Sequence, residues 1–330
     1  MKSTSSFRTR TLLLALTLCP LLPTEATAQV VAPGPALQGG NCSVEGLMDS
    51  IRNGLKSNSE AYKKYMRTLL RESAPTLSDS ELRAAFERET DPVMAEHLAA
   101  ALVARTERGA DPQAIKAVAK RALEERDPAV RAATVRSLRR TSALESTDGV
   151  YEQLVKDPSP EVRQEAATNI VEDIREVYSG FHGPASDAAV SAAAASTDPK
   201  VTAKILGSMD TQKISADSAG KIQSLLGSDD AEVRKAAALA LGGVPAEQMA
   251  SARQSVLAMY RDEKDAGVRK ALLQSIAQLG FIGAIPELQR LRSTDPSLAP
   301  EIDAWIRVLN LDLQEWNLIL REKQRLQQVP

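Results

Sequence analysis

The sequence predicts an all-α, right-handed solenoid of about seven helical hairpins with helical caps at both ends. Three observations carry that prediction. First, six of the 17 prolines directly follow aspartate, at Pro92, Pro112, Pro128, Pro158, Pro199 and Pro296. Aspartate is a good N-cap and proline suits the first helical position, so each pair marks a helix start. Second, apolar side chains recur at steps of four near these starts. The sets are Met94/Leu98/Leu102, Val130/Thr134/Leu138, Val162/Ala166/Ile170, Val201/Ile205/Met209, Val233/Ala237/Leu241, Val268/Leu272/Ile276 and Leu298/Ile302/Ile306. Such steps put one apolar stripe on each helix. Their anchors are spaced 30 to 39 residues apart, room for two helices and two short turns. Third, the 330 residues are 43% hydrophobic but only 3% aromatic. A core of Ala, Leu, Val and Ile suits helices that pack closely.

The segments follow in chain order. Residues 1–28 read as a secretory signal peptide, with Lys2, Arg8 and Arg10 at the start, LLLALTLCPLL at 12–22 and a small-x-small ending at Ala26-Thr27-Ala28. An uncleaved anchor is the competing reading, but the apolar stretch is about half the ~20 residues that a bilayer span needs. Leu18 before Cys19 disfavours lipidation. Residues 29–41 read as a flexible linker. Removing Lys2, Arg8, Arg10 and Glu25 takes the net charge from −2 to −4 and leaves Cys42 as the one cysteine. It is read as a tolerated thiol, with pairing to a partner chain as the sharper alternative. No later stretch is expected to cross a membrane.

Residues 42–77 read as an N-terminal cap of two helices over 43–72. Residues 78–309 form the repeat array and 310–330 a C-terminal capping helix over 311–327. Within the array the first helices of the hairpins are expected at 78–88, 111–125, 147–156, 185–195, 214–226, 246–260 and 283–292. Ser78-x-x-Glu81 has capping-box spacing. Gly227, Gly242, Gly243 and Gly280 fall where helices should stop.

The motif D-P-x-V-R or D-x-x-V-R resembles that of HEAT and HEAT-like repeats of the phycobilin-lyase type, in an exported, bacterial-type member. It stands here as Asp127–Arg131 and Asp265–Arg269, with a varied Asp230–Arg234 and an Asp157–Arg163 carrying two inserted residues. The resemblance implies a ladder between stacked turns, in which Asp127, Arg131, Asp157, Arg163, Asp230, Arg234, Asp265 and Arg269 are structural. The arginine position is held by Ala95, Thr202 and Ala299 in the first, fourth and seventh repeats. The ladder is expected to break there.

The search for chemistry is mostly negative. Only His97 and His182 occur, with no HExxH, CxxC, GxSxG or Gly-rich phosphate loop. HEAT-like proteins include an iron hydroxylase with His-Glu ligand pairs; this chain has only the reversed Glu96-His97, read as structural. Phycobilin lyases also belong to the family, and no residue here supports that activity. No metal, cofactor or catalytic residue is assigned.

Three features stand out. Tyr178, Phe181 and His182 lie on a Gly-bounded loop that reads as a binding patch or, preferably, a long turn with Phe181 as a plug. The stretch 116–140 has eight basic residues, among them Lys116, Lys120, Arg136, Arg139 and Arg140, against three acidic ones. It offers a surface for an acidic partner, or else a solvated helix face. Tyr62, Lys63, Lys64, Tyr65, Arg67 and Arg71 interleave aromatics with bases. Export and an acidic mature chain favour a cap with a basic face over nucleic-acid binding. The expected function is an exported, periplasmic or secreted scaffold, taken as a monomer, that binds a protein or peptide. An enzyme or enzyme subunit with a lyase- or hydrolase-like site on an inter-repeat loop is the alternative.

Overall fold

Aspartate caps set the frame of the molecule. The computed structural model describes residues 43–109, 113–141, 143–147, 149–176, 184–209 and 213–328. Among them no strand occurs, and the helices pack in pairs. The opening pair is α1 (Val44–Leu55) and α2 (Glu60–Ser73). Seven hairpins follow among the described residues. They are α3 (Asp79–Arg88) with α4 (Pro92–Glu107), α5 (Ala114–Glu124) with α6 (Pro128–Ser137), and the short α7 (Ala143–Ser146) and α8 (Val150–Leu154) with α9 (Pro160–Glu176). Next come α10 (Pro184–Ala195) with α11 (Pro199–Leu206), α12 (Ala216–Leu225) with α13 (Ala231–Ala240), and α14 (Met249–Asp262) with α15 (Ala266–Gly280). The last hairpin is α16 (Ile285–Thr294) with α17 (Ala299–Leu309), and α18 (Trp316–Gln328) closes the chain.

Asp91, Asp127, Asp198, Asp230 and Asp265 each cap a second helix, their carboxylates accepting backbone N–H groups of its first turn. Ser78 and Glu81 form the expected capping box at α3. Two Asp-Pro pairs do not start a helix as the sequence suggested. Asp157 spends both oxygens on Arg131 and on the Ser159 N–H, so α9 begins three residues later at Pro160. Asp295 holds Arg269, the Tyr260 hydroxyl and Ser297, leaving a 3₁₀ turn before α17. The remaining pair, Asp111-Pro112, lies outside the described residues. Helix α15 stops at Gly280, where the sequence placed a helix end, and the positive-φ residue that follows is Phe281, with φ of 48°.

Second helices pack in one unbroken row, α4 on α6, α6 on α9, α9 on α11, α11 on α13, α13 on α15 and α15 on α17. First helices form the other layer, with α5 on α7 and α8, these on α10, and α10 on α12. The N-terminal pair continues both layers, α1 against α3 and α2 against α4, and α18 packs on α17. One hydrophobic core runs from Met48 to Ile319 along the seam. It is built from Ala, Leu, Val and Ile with few rings, which explains the low aromatic fraction. Residues Ala266–Thr294 are long and apolar enough to span a bilayer, against the expectation that no such run exists past the leader. Over half of the apolar window is buried, so packing within the stack accounts for its composition.

The turn ladder is present with a changed set of acids. Arg131 reaches Asp157 at 2.8 Å, Arg163 reaches Asp198 at 3.0 Å and Arg269 reaches Asp295 at 2.7 Å. Arg234, however, pairs with Glu263 at 2.7 Å rather than with Asp265. Arg131, Arg163 and Arg234 also donate to carbonyls of their own turn, as Arg131 does to Glu125 at 2.8 Å and Arg126 at 3.0 Å. Glu89, Glu125 and Glu263 stand two residues before a capping aspartate, and each accepts the next two backbone N–H groups. In these turns the glutamate organises the bend and the aspartate starts the helix. With Ala95 and Thr202 in place of arginine, the α4 and α11 positions supply no rung; Thr202 instead donates to the Ala193 carbonyl at 3.2 Å.

Two predictions follow from the ladder. Arg131 and Asp157 side chains are 11% and 8% exposed. Arg131→Gln is expected to cost about 2–3 kcal/mol, because it strands a nearly buried carboxylate; urea unfolding checks this. The second concerns acid. The bonded Arg234 guanidinium, opposed by burial, holds the Glu263 carboxyl below its ordinary range. The unfolded chain therefore binds the proton first, and stability falls as pH drops below the ordinary glutamate value of about 4.3. Melting temperatures between pH 6 and 3 should fall less steeply for Glu263→Gln than for the parent chain.

Candidate interaction surface

The surface of the second-helix row is organised by ion pairs at its centre. Helix α4 supplies Glu96, α6 supplies Arg136, the turn just past it supplies Arg139, and α9 supplies Glu165, Asn169 and Glu172. Arg136 bridges the three helices, meeting Glu96 at 2.9 Å on one side and Glu165 at 2.7 Å on the other. Arg139 adds Glu165 at 2.9 Å, Glu172 at 3.7 Å and the Asn169 side-chain oxygen Oδ1 at 3.2 Å. Arg140 takes left-handed backbone with φ of 57° just past the end of α6. Its N–H thereby meets Asp173 at 2.8 Å, and its guanidinium meets Glu172 at 3.1 Å. Beneath this layer the buried Asn169 amide donates to the Val135 carbonyl and contacts the Tyr151 hydroxyl at 3.2 Å. Burial pushes the Tyr151 phenol well above its ordinary range, so it stays protonated.

These contacts reassign the basic stretch read from the sequence. Its residues lie on two different layers. Arg136, Arg139 and Arg140 lie on or just past α6 and meet carboxylates of α4 and α9, so the positive charge counted along the chain is compensated in space. Lys116 and Lys120 lie exposed on α5, in the first-helix layer, with Glu124 3.9 Å from Lys120. Lys120 borders a hollow of about 580 Å³ where the Arg121 guanidinium sits 4.7 Å over the Phe86 ring. Tyr178, Phe181 and His182 lie outside the described residues, as does Cys42. His97 is half-buried on α4, and burial lowers its pKa, which favours the neutral ring.

Farther along the row the character changes. Helices α11, α13 and α15 carry Lys204, Lys235 and Lys270, the first and last exposed and Lys235 partly so, and α11 and α15 contain no carboxylate. Lys204 donates to Thr168 of α9 at 2.6 Å and Lys235 lies 3.4 Å from Glu232. Composition could not single out these lysines, because only the repeat register brings them together. The E-x-D glutamates of the ladder were likewise missed, although their recurrence before helix starts was visible. No group of three His, Cys, Asp or Glu suited to a metal ion occurs among the described residues.

The family match agrees with this architecture. No curated protein matches the chain. Among solved structures, an engineered protein is 20% identical, with 80% of this chain and 78% of that chain covered and a TM-score of 0.41. Human deoxyhypusine hydroxylase in complex with glycerol is 17% identical, with 80% and 94% covered and a TM-score of 0.30. Residues 186–298, from α10 to the turn before α17, match the family of HEAT repeats. The paired helices of the described residues form an all-α, HEAT-like solenoid.

Proposed function

We propose that the chain is an exported, non-enzymatic scaffold that binds a protein or peptide on its second-helix face. The observation that carries this reading is the continuous row of second helices from α4 to α17, whose central side chains are held by cross-helix ion pairs. Stacked helical repeats offer extended surfaces of this kind. A surface already ordered before binding loses less entropy on contact. Export rests on the leader-like sequence of residues 1–28, and the scaffold needs no cofactor.

A photoreactive residue tests the face. Gln274 of α15 and Ser224 of α12 lie on the two different layers. Benzoylphenylalanine at Gln274 is expected to give a discrete cross-linked species in the producing cell, while the same group at Ser224 gives none. Equal yields at both positions, or none at either, would count against the scaffold. Export predicts a mature protein beginning at Gln29 outside the cytoplasm, as read by mass spectrometry of cell fractions.

A further inference from the structure

The second-helix face is not electrostatically uniform. At its centre Arg136 and Arg139 are matched by Glu96, Glu165 and Glu172. Beyond α9 the match ends. Among the described residues no carboxylate lies within ion-pair distance of Lys204 or Lys270, and Lys235 has only the exposed Glu232 on its own helix. Lys235 and Lys270 share one repeat position, each following the ladder arginine, while Lys204 stands one place further on, two after Thr202, which holds the arginine position. The floor between them is made of the small or apolar Ala203, Ala236, Leu239 and Ala271. Gln274 adds an amide that can meet a peptide backbone.

From this arrangement we propose that α11, α13 and α15 bind an extended acidic peptide whose carboxylates recur at every third residue. The inference rests on the scaffold reading and names the chemistry of its partner. Packed helix axes lie about 8–10 Å apart. A peptide in the extended polyproline II form advances about 3.1 Å per residue with three residues per turn, so three residues span one helix-to-helix step and bring the side chain back to the same face. Acidic side chains at positions i, i+3 and i+6 thereby meet Lys204, Lys235 and Lys270 in turn. The small floor lets the peptide backbone approach closely. A single-stranded nucleic acid fits this face less well, because α11, α13 and α15 carry no aromatic residue on which bases could stack.

The test uses the full mature chain and three fluorescent twelve-residue probes read by anisotropy. One peptide carries Glu at every third position among Ser and Ala, the second has the same composition with its Glu residues adjacent, and the third probe is an oligo-dT of equal length. The spaced peptide is expected to bind at least tenfold more tightly than the clustered one. Combined Lys204→Gln, Lys235→Gln and Lys270→Gln should abolish that difference, and Lys270→Gln alone should reduce it. Lys116→Gln with Lys120→Gln, on the other layer, should leave it intact. Circular dichroism of each variant confirms the fold, and the single variant preserves the test if the triple one is unstable. Equal affinity for both peptides, indifference to the lysine changes, or tighter lysine-dependent binding of oligo-dT would each overturn the proposal. Peptide failure with cross-linking retained at Gln274 would reject only the acidic partner. Loss of the Gln274 cross-link would instead reject the scaffold itself.

Discussion

Leu272→Asp is expected to remove more than about 4 kcal/mol and to unfold the C-terminal half of the stack first. Leu272 lies in the middle of α15, is fully buried and belongs to the continuous core. A carboxylate there has no helix terminus or designed partner to stabilise it. It also replaces packing against α13 on one side and α17 on the other. The same change at Val233 should cost less, although that side chain is only 2% exposed. Val233 is the third residue of α13, and its N–H already faces the Asp230 cap. The partial positive charge of a helix start favours a carboxylate at that place. Because a solenoid couples mainly nearest neighbours, hydrogen exchange in Leu272→Asp should rise first in α13, α15 and α17. Protection in α4 and α6 should persist at mild denaturant. Uniform loss across the chain would mean that the stack folds as one cooperative block.

The legible part of the fold is the part written in local rules. Helix starts follow from aspartates that satisfy free N–H groups, and the hairpin count follows from the spacing of apolar anchors. Boundaries failed where an aspartate had a second task. Asp157 and Asp295 are held by arginines of the preceding repeat with both oxygens engaged, whereas Asp198 gives one oxygen to Arg163 and keeps the other for the Lys200 N–H of its own helix. That competition is tertiary, and no local pattern reveals it. The ladder shows the same limit from the other side. The resemblance assigned Asp265 to a rung, yet Glu263 takes Arg234 because its longer side chain also folds back onto two turn N–H groups. Charge was the least legible quantity. Lys116 and Arg136 are 20 residues apart in sequence but lie on different layers, whereas Arg136 and Glu96 are 40 apart and in contact. Counting charge along the chain therefore pointed to a patch that folding compensates. The lysines of α11, α13 and α15 are separated by whole hairpins and become neighbours only in the stack.

Trp305→Ala is expected to cost about 3–5 kcal/mol, the range for emptying a buried tryptophan site. Trp305 is fully buried on α17, and its ring stacks on Trp316 of α18 with centroids 5.7 Å apart and planes at 6°. Lys323 of α18 lies 4.3 Å over the same ring and is anchored to Glu301 of α17 at 2.5 Å. Phe281 meets Trp316 edge-on at 6.3 Å from the end of α15. One side chain thus seats the terminal helix, whose own buried anchor is Ile319. Removing it should release α18 before it disturbs distant hairpins. The chain contains only two tryptophans, so its intrinsic fluorescence reports this corner alone. In Trp305→Ala the remaining Trp316 emission should shift to the red at temperatures where the far-ultraviolet circular dichroism is still that of the folded stack. Limited proteolysis should cut ahead of Trp316 in the same range. If fluorescence and circular dichroism instead melt together, α18 does not open separately from the solenoid, and the C-terminal cap is an integral part of the last repeat.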